Sequence, residues 1–335
     1  MSVSRYAMPP CLTGTDGQDR RVGVEIEMSG IELSVIAAEL SAVLGGKTEV
    51  HSDYELEVRE SRLGDFKIDL DFEYLQKMAH RHGQEAPDWS REFELLAADT
   101  LQALLKNLIP CELITPPLAF HKLPELDEVV KALRQRGAQG TRQALFATFG
   151  LHLNPELPDL EAETILAYLR AFIGLREWLE EREKVVLSRK LSLFIRPFPA
   201  EYEALVMSAE YAPTLAELTR DYLTFNATRN RMLDLLPLLA HLDEEAVTDA
   251  IKDQKLRKRP TLHYRLPNSD IDNPEWGIWR SWNDWMQVEW LVHERERLEE
   301  LCTAWRRSRR GGYLSGDFHS WKETVKEWLI DPTSR

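Results

Sequence analysis

Five short stretches of this chain alternate between apolar side chains and side chains that carry chemistry, and this one-sidedness constrains the fold more than any other feature. Residues 21–28 read Arg-Val-Gly-Val-Glu-Ile-Glu-Met. Successive side chains of a strand point to opposite faces, so Val22, Val24, Ile26 and Met28 share one face and Gly23, Glu25 and Glu27 the other. Lys67, Asp69 and Asp71 oppose Phe66, Ile68 and Leu70, and Glu112 opposes Cys111 and Leu113. His152 and Asn154 oppose Leu151 and Leu153, while His263 and Arg265 oppose Leu262, Tyr264 and Leu266. A lone Glu-x-Glu strand reads as the wet side of a sheet. Two carboxylates on an enclosed face instead require a cation, a positive partner or a raised pKa. If the five stretches share one sheet, its polar face gathers carboxylates, two imidazoles, an Arg and a Lys. Such a set suits hard divalent cations and phosphate oxygens.

The 335 residues can bury a substantial core, and a net charge of −14 excludes general affinity for nucleic acid or an anionic membrane surface. No apolar run approaches the roughly 18 to 20 residues that span a bilayer, and the N-terminus has no secretory pattern. Cys11, Cys111 and Cys302 are far apart and lack metal-ligand spacing, so they read as free thiols in a reducing cytoplasm. Alternation puts Cys111 on the apolar face, which argues against a nucleophile.

Residues 1–19 read as a loosely held arm, and 20–335 as one domain ending in a Trp-rich helical part from about 274. Helices are expected over 31–44, 72–80, 90–108, 126–136, 162–183, 200–207, 213–223 and 229–252. Strands are expected over 47–70 with a turn at Gly64-Asp65. A helix carrying Trp276, Trp279, Trp282, Trp285 and Trp290 continues to about Arg307, and this spacing reads as core packing. Two basic runs, 255–259 and 306–310, read as solvated clusters. Arg309 and Arg310, followed by a Gly pair, also have the makings of a loop that closes on phosphates. Neither common glycine-rich phosphate-loop sequence is present.

Taken in order, Gly23-Val-Glu-Ile-Glu27, Glu112-Leu-Ile-Thr-Pro-Pro117 and Gly150-Leu-His-Leu-Asn154 resemble the amidoligase family, within the glutamine synthetase and glutamate-cysteine ligase superfamily. The resemblance continues through Phe225-Asn-Ala-Thr-Arg-Asn230, Leu235-Leu-Pro-Leu238 and Tyr264-Arg-Leu-Pro-Asn-Ser-Asp270. It implies an α+β fold with a curved antiparallel sheet and helices on its outer face. It also implies an ATP- and Mg²⁺-dependent ligase, with Mn²⁺ as a substitute, joining a small-molecule or peptide carboxylate to an amine through an acyl-phosphate. By the same resemblance the metal carboxylates fall on Glu25, Glu27 and Glu112. His152 falls on the metal or nucleotide side, and Arg265 on the phosphates, with Arg265 and Glu27 central to catalysis. The family's last strand usually carries Glu where His263 stands, so one metal position changes its donor type.

Two other readings stay open at this level. One is an ATP-dependent phosphotransferase of the same superfamily. The other is an inactive relative that binds a nucleotide or a protein partner, with His263 and the Trp-rich helix as its supporting features.

Overall fold

A computed structural model describes residues 5–70, 110–141, 149–183, 195–251, 256–310 and 321–330. Asp71 and the helices expected over 72–80 and 90–108 lie outside the described residues.

The one-sided stretches all become strands of a single sheet. In chain order the strands are β1 (Arg21–Met28), β2 (Lys47–Ser52), β3 (Glu55–Ser61), β4 (Gly64–Leu70), β5 (Cys111–Ile114), β6 (Leu118–Ala119), β7 (Leu151–Pro155), β8 (Leu233–Asp234) and β9 (His263–Tyr264). Across the open sheet they run β2, β3, β4, β5, β1, β7, β9, β8, with β6 on the start of β1. Every pairing is antiparallel. The turn between β3 and β4 spans Ser61 to Gly64, so Asp65 belongs to β4 and not to the turn. Gly64 closes it with φ 107, a left-handed conformation that suits glycine.

The helices are α1 (Leu33–Leu44), α2 (Leu126–Gln135), α3 (Ala162–Arg182), α4 (Ala200–Val206), α5 (Leu215–Asn226), α6 (Leu236–Leu242), α7 (Glu244–Ala250), α8 (Ile278–His293), α9 (Arg295–Arg310) and α10 (Trp321–Thr324). This makes a mixed α+β fold with a large antiparallel sheet. The apolar side chains of β1, β4, β5 and β7 are buried, as are Phe172 of α3 and Trp285 of α8, whose rings lie 6.1 and 5.1 Å from that of Tyr264. The helical layer therefore covers the apolar face and leaves the carboxylates and imidazoles on the other.

Two expected helices are divided. Where one helix was expected over 229–252, residues 233–234 form β8, and α6 starts at Leu236 with Pro237 in its first turn. Proline is tolerated there because the first helical N–H groups have no partner within the helix. Asp243 then caps α7 by accepting from Ala246 N at 3.1 Å. The Trp-rich helix likewise ends at His293, and α9 begins at Arg295. Trp276, expected on this helix, precedes its first residue, Ile278, but is buried with Trp282, Trp285 and Trp290 in the core, while Trp279 is half-buried against it. Burial removes Trp276, Trp282, Trp285 and Trp290 as a surface for a partner.

Residues 5–19 are tied to this layer. The Tyr6 hydroxyl donates to Asp127 at 2.6 Å, Trp282 Nε1 to Ala7 O at 2.7 Å and Trp290 Nε1 to Met8 O at 3.2 Å. Just before β1, Arg20 is buried and grips Glu289 of α8 through both Nη atoms at 2.9 and 2.8 Å. Tyr168 of α3 donates to the same carboxylate at 2.7 Å. Three elements thus meet at one charge pair.

Among the described residues no helix is long and apolar enough to cross a membrane. Cys111 and Cys302 are buried, and desolvation pushes the Cys111 thiol up to about 12. Cys11 is half-buried. A thiol reagent should therefore modify one cysteine in the native protein and all three after unfolding; rapid native labelling of Cys111, located by peptide mass, would contradict this burial.

Candidate active site

Strand register decides which polar side chains meet. On one side of β1, Glu27 lies opposite Glu112 of β5, and Glu112 lies opposite Asp69 of β4. On the other side, Glu25 lies opposite His152 and Gly23 opposite Asn154 of β7. The pairing of Leu153 with Tyr264 then sets Asn154 beside His263 and His152 beside Arg265. Asp234 of β8 faces His263 in turn. The polar face gathers these groups into one continuous patch.

Glu25 is a buried carboxylate of this patch with several close polar partners. Its Oε1 accepts from Asn154 Nδ2 at 2.8 Å and Arg259 Nη1 at 3.1 Å. Its Oε2 is 3.0 Å from His152 Nδ1 and 3.5 Å from His263 Nε2. Burial by itself would raise this carboxyl, but hydrogen bonding to His152 and then to His263 outweighs it and holds Glu25 well below the usual range. An ionised Glu25 only accepts, so the Nδ1 of His152 carries the proton. In the neutral imidazole the lone pair is then on Nε2, which lies 3.6 Å from Glu27 Oε1.

Glu27, Glu112 and His152 each offer a donor atom within 4.8 Å of the others, and Glu25, His152 and His263 form a second such group. A neutral imidazole has one lone pair, so His152 completes only one of them. The hydrogen bonding of Glu25 assigns it to the first. Glu25 then orients His152 as carboxylates commonly orient metal-binding imidazoles. Two carboxylates and one imidazole fit a divalent cation, and the nitrogen suits Mn²⁺ better than Mg²⁺. Gly150 N donates to Glu27 Oε2 at 2.6 Å, which fixes that side chain and leaves Oε1 toward the cluster.

His263 is wholly enclosed, and desolvation pushes its imidazole down to about 3 against the upward pull of Glu25, with Arg265 and His152 adding to the fall. It is therefore neutral near pH 7. The unfolded residue, at about 6.5, takes up a proton between pH 6.5 and 3 that the folded one does not, so stability falls as pH drops through that window. Glu25 acts in the same sense at lower pH, because its folded value is depressed. In acid titrations of metal-free protein followed by denaturant midpoint, His263→Gln should flatten the decline between pH 6.5 and 3. An unchanged slope would mean that His263 is protonated inside the fold.

Two members of the patch escaped the sequence reading. Arg259, assigned to a solvated basic run, pairs with Glu25; its position four residues before His263 was the available signal. Asp234, expected inside a helix, is wholly buried and accepts from Leu236 N at 2.9 Å. Burial raises its carboxyl, against that hydrogen bond and the charges of Arg265, Arg229 and Arg259. Arg265 is buried in the patch, and its Nη1 donates to Arg229 O at 3.0 Å. Asp69 pairs with Lys67 at 2.7 Å, and burial pushes its carboxyl up.

Arg309 is not brought here. It continues α9, pairs with Glu177 of α3 at 2.5 Å and lies 5.2 Å over the Trp305 ring, in the helical layer on the far side of the sheet. The side chain of Arg310 and the Gly pair lie outside the described residues.

A family model described as "putative amidoligase enzyme" matches residues 18–287, which contain the whole polar patch. The chain belongs to this amidoligase family. No curated protein and no solved structure gives a match. The amidoligase match starts just before β1 and ends within α8, so it takes in every strand of the sheet and leaves out α9 with Arg309.

Proposed function

We propose that the protein is an ATP-dependent carboxylate-amine ligase. The observation that supports this most is the convergence of Glu27, Glu112 and His152 beside Arg265 on one face of the sheet, in a chain of the amidoligase family. In such a reaction the substrate carboxylate takes the γ-phosphoryl group of ATP, releasing ADP; the amine then attacks the acyl-phosphate, forming the amide and releasing phosphate. A divalent cation held by Glu27, Glu112 and His152 would supply positive charge against the phosphate oxygens.

The other residues act on this centre. Glu25 keeps the Nδ1 proton of His152 in place and so keeps the Nε2 lone pair directed at the cluster. Arg265, anchored by Arg229 O, presents a guanidinium that stabilises charge on the transferred group. His263, held neutral, adds no positive charge against the cation.

The test is ADP release by the full chain with Mg·ATP or Mn·ATP and pooled amino acids, polyamines and short peptides, beside a Glu25→Ala/Glu27→Ala variant. Pool-dependent ADP release, absent from the variant and accompanied by a new amide, is the expected result. A stable phosphorylated product without an amide would replace the ligase with a phosphotransferase, and failure to bind or turn over ATP with either cation would refute both.

A further inference from the structure

A pocket of about 210 Å³ opens beside Glu25, lined by Gly23, Ile114, Asn154, Arg259, Pro260 and Thr261 among others. Gly23 precedes Glu25 by two residues on β1, so it lies on the same face and leaves room where any other residue would place a side chain. At about 30 Å³ per water the space holds roughly seven water-sized groups, the scale of a small amino acid and below the usual range for larger ligands.

Three buried polar atoms of the lining residues have no hydrogen-bond partner among the described residues: Arg259 Nε, Asn154 Oδ1 and Thr261 Oγ1. Arg259 is held by its backbone N on Pro237 O at 2.9 Å and by Nη1 on Glu25 Oε1 at 3.1 Å. That leaves the Nε and Nη2 edge of the guanidinium, the planar two-donor edge that matches a carboxylate. Asn154 is oriented by its Nδ2 contact with Glu25, so Oδ1 is a fixed acceptor. The residues around this one small space therefore carry a two-donor cation suited to a carboxylate and two acceptors, an amide oxygen and a hydroxyl, suited to an ammonium group.

We propose that this pocket is the amino-acid subsite of the enzyme, taking a free α-amino acid with its carboxylate on Arg259 and its ammonium on Asn154 and Thr261. The assignment rests on the ligase reading for its role in the reaction, but not for the binding itself. Binding is measured on the full chain without nucleotide, by saturation-transfer NMR and equilibrium dialysis. The probes are the common L-amino acids, their carboxamides, their N-acetyl forms and blocked peptides with a free C-terminal carboxylate.

One or a few free amino acids should bind, with the amide and N-acetyl forms about tenfold or more weaker, the scale of a lost charged hydrogen bond. Arg259→Lys keeps a positive charge beside Glu25 but lacks the planar edge. Gly23→Ala puts a methyl into the pocket at 3.4 Å from Asn154 Nδ2, an ordinary contact that leaves the fold intact. Each should weaken binding about tenfold or more. The proposal is overturned if no free amino acid binds, if N-acetyl or peptide forms bind equally well, or if both variants bind like the parent. Amino-acid binding without any nucleotide binding would sink the ligase reading and leave the subsite standing. ADP turnover with no amino-acid binding would do the reverse.

Discussion

Glu27→Ala should abolish tight Mn²⁺ binding and, with it, ATP-dependent ADP release. Glu27 supplies one of three donors that converge within 4.8 Å, and among the described residues its loss leaves this group one carboxylate, Glu112, and one imidazole, His152. Glu25→Gln should be milder. It keeps the shape of the side chain but removes the charge that holds the proton on His152 Nδ1, and loss of such an outer partner costs ~10- to 100-fold in metal affinity. The order of the two variants tests the assignment of roles, because a Glu25 that bound the ion directly would be hit at least as hard as Glu27. Calorimetric Mn²⁺ titration of the parent and both variants, each checked for folding by circular dichroism, gives the ranking. Equal, undiminished affinity in Glu27→Ala would remove the cluster from consideration as a metal site.

The second large effect concerns stability. Glu289→Ala should destabilise the protein by ~3–5 kcal/mol, because it leaves the buried Arg20 guanidinium charged without its partner. Among the described residues Arg20 keeps its hydrogen bonds to the Glu156 and Cys11 carbonyls and to Tyr168, and its place 5.0 Å over the Phe120 ring, none of which carries a negative charge. The pair joins the entry to β1, the middle of α3 and α8, so its loss loosens the strand that carries Glu25 and Glu27. Urea unfolding at pH 7 measures this. A loss below about 1 kcal/mol, the level of an exposed pair, would mean that water reaches the site in solution. Arg20→Met combined with Glu289→Leu should recover much of the loss, since a buried pair replaced whole by apolar groups is often neutral.

How much of this was legible can be judged residue by residue. The two faces of β1, β5, β7 and β9 were readable because a strand alternates with period two, so burying Ile26, Leu113, Leu153 and Tyr264 automatically sets Glu27, Glu112, His152 and His263 on the other side. The core role of the tryptophans was readable in the same way from helical spacing. Asp234 was not. It sits in a two-residue strand inside a run rich in leucine, Leu233 to Leu239, where helical and strand patterns cannot be told apart over so few residues. Arg259 and Arg309 illustrate the same limit from opposite sides. Both sit in basic runs that read alike, yet the first reaches Glu25 and the second sits on the far layer against Glu177. The break between α8 and α9 had no glycine or proline to announce it.

By itself, then, the sequence determined which side chains share a face of each strand and which helical faces are apolar. Those properties follow from the backbone's own periodicity and need no knowledge of neighbours. Only the tertiary structure decided that β1 lies between β5 and β7, that His152 turns Nδ1 to Glu25 and Nε2 to Glu27, and that Arg259 crosses to complete the patch. Strand order and register are set by hydrogen bonding and packing between segments more than a hundred residues apart, such as Glu25 and His152, and no local pattern encodes that choice.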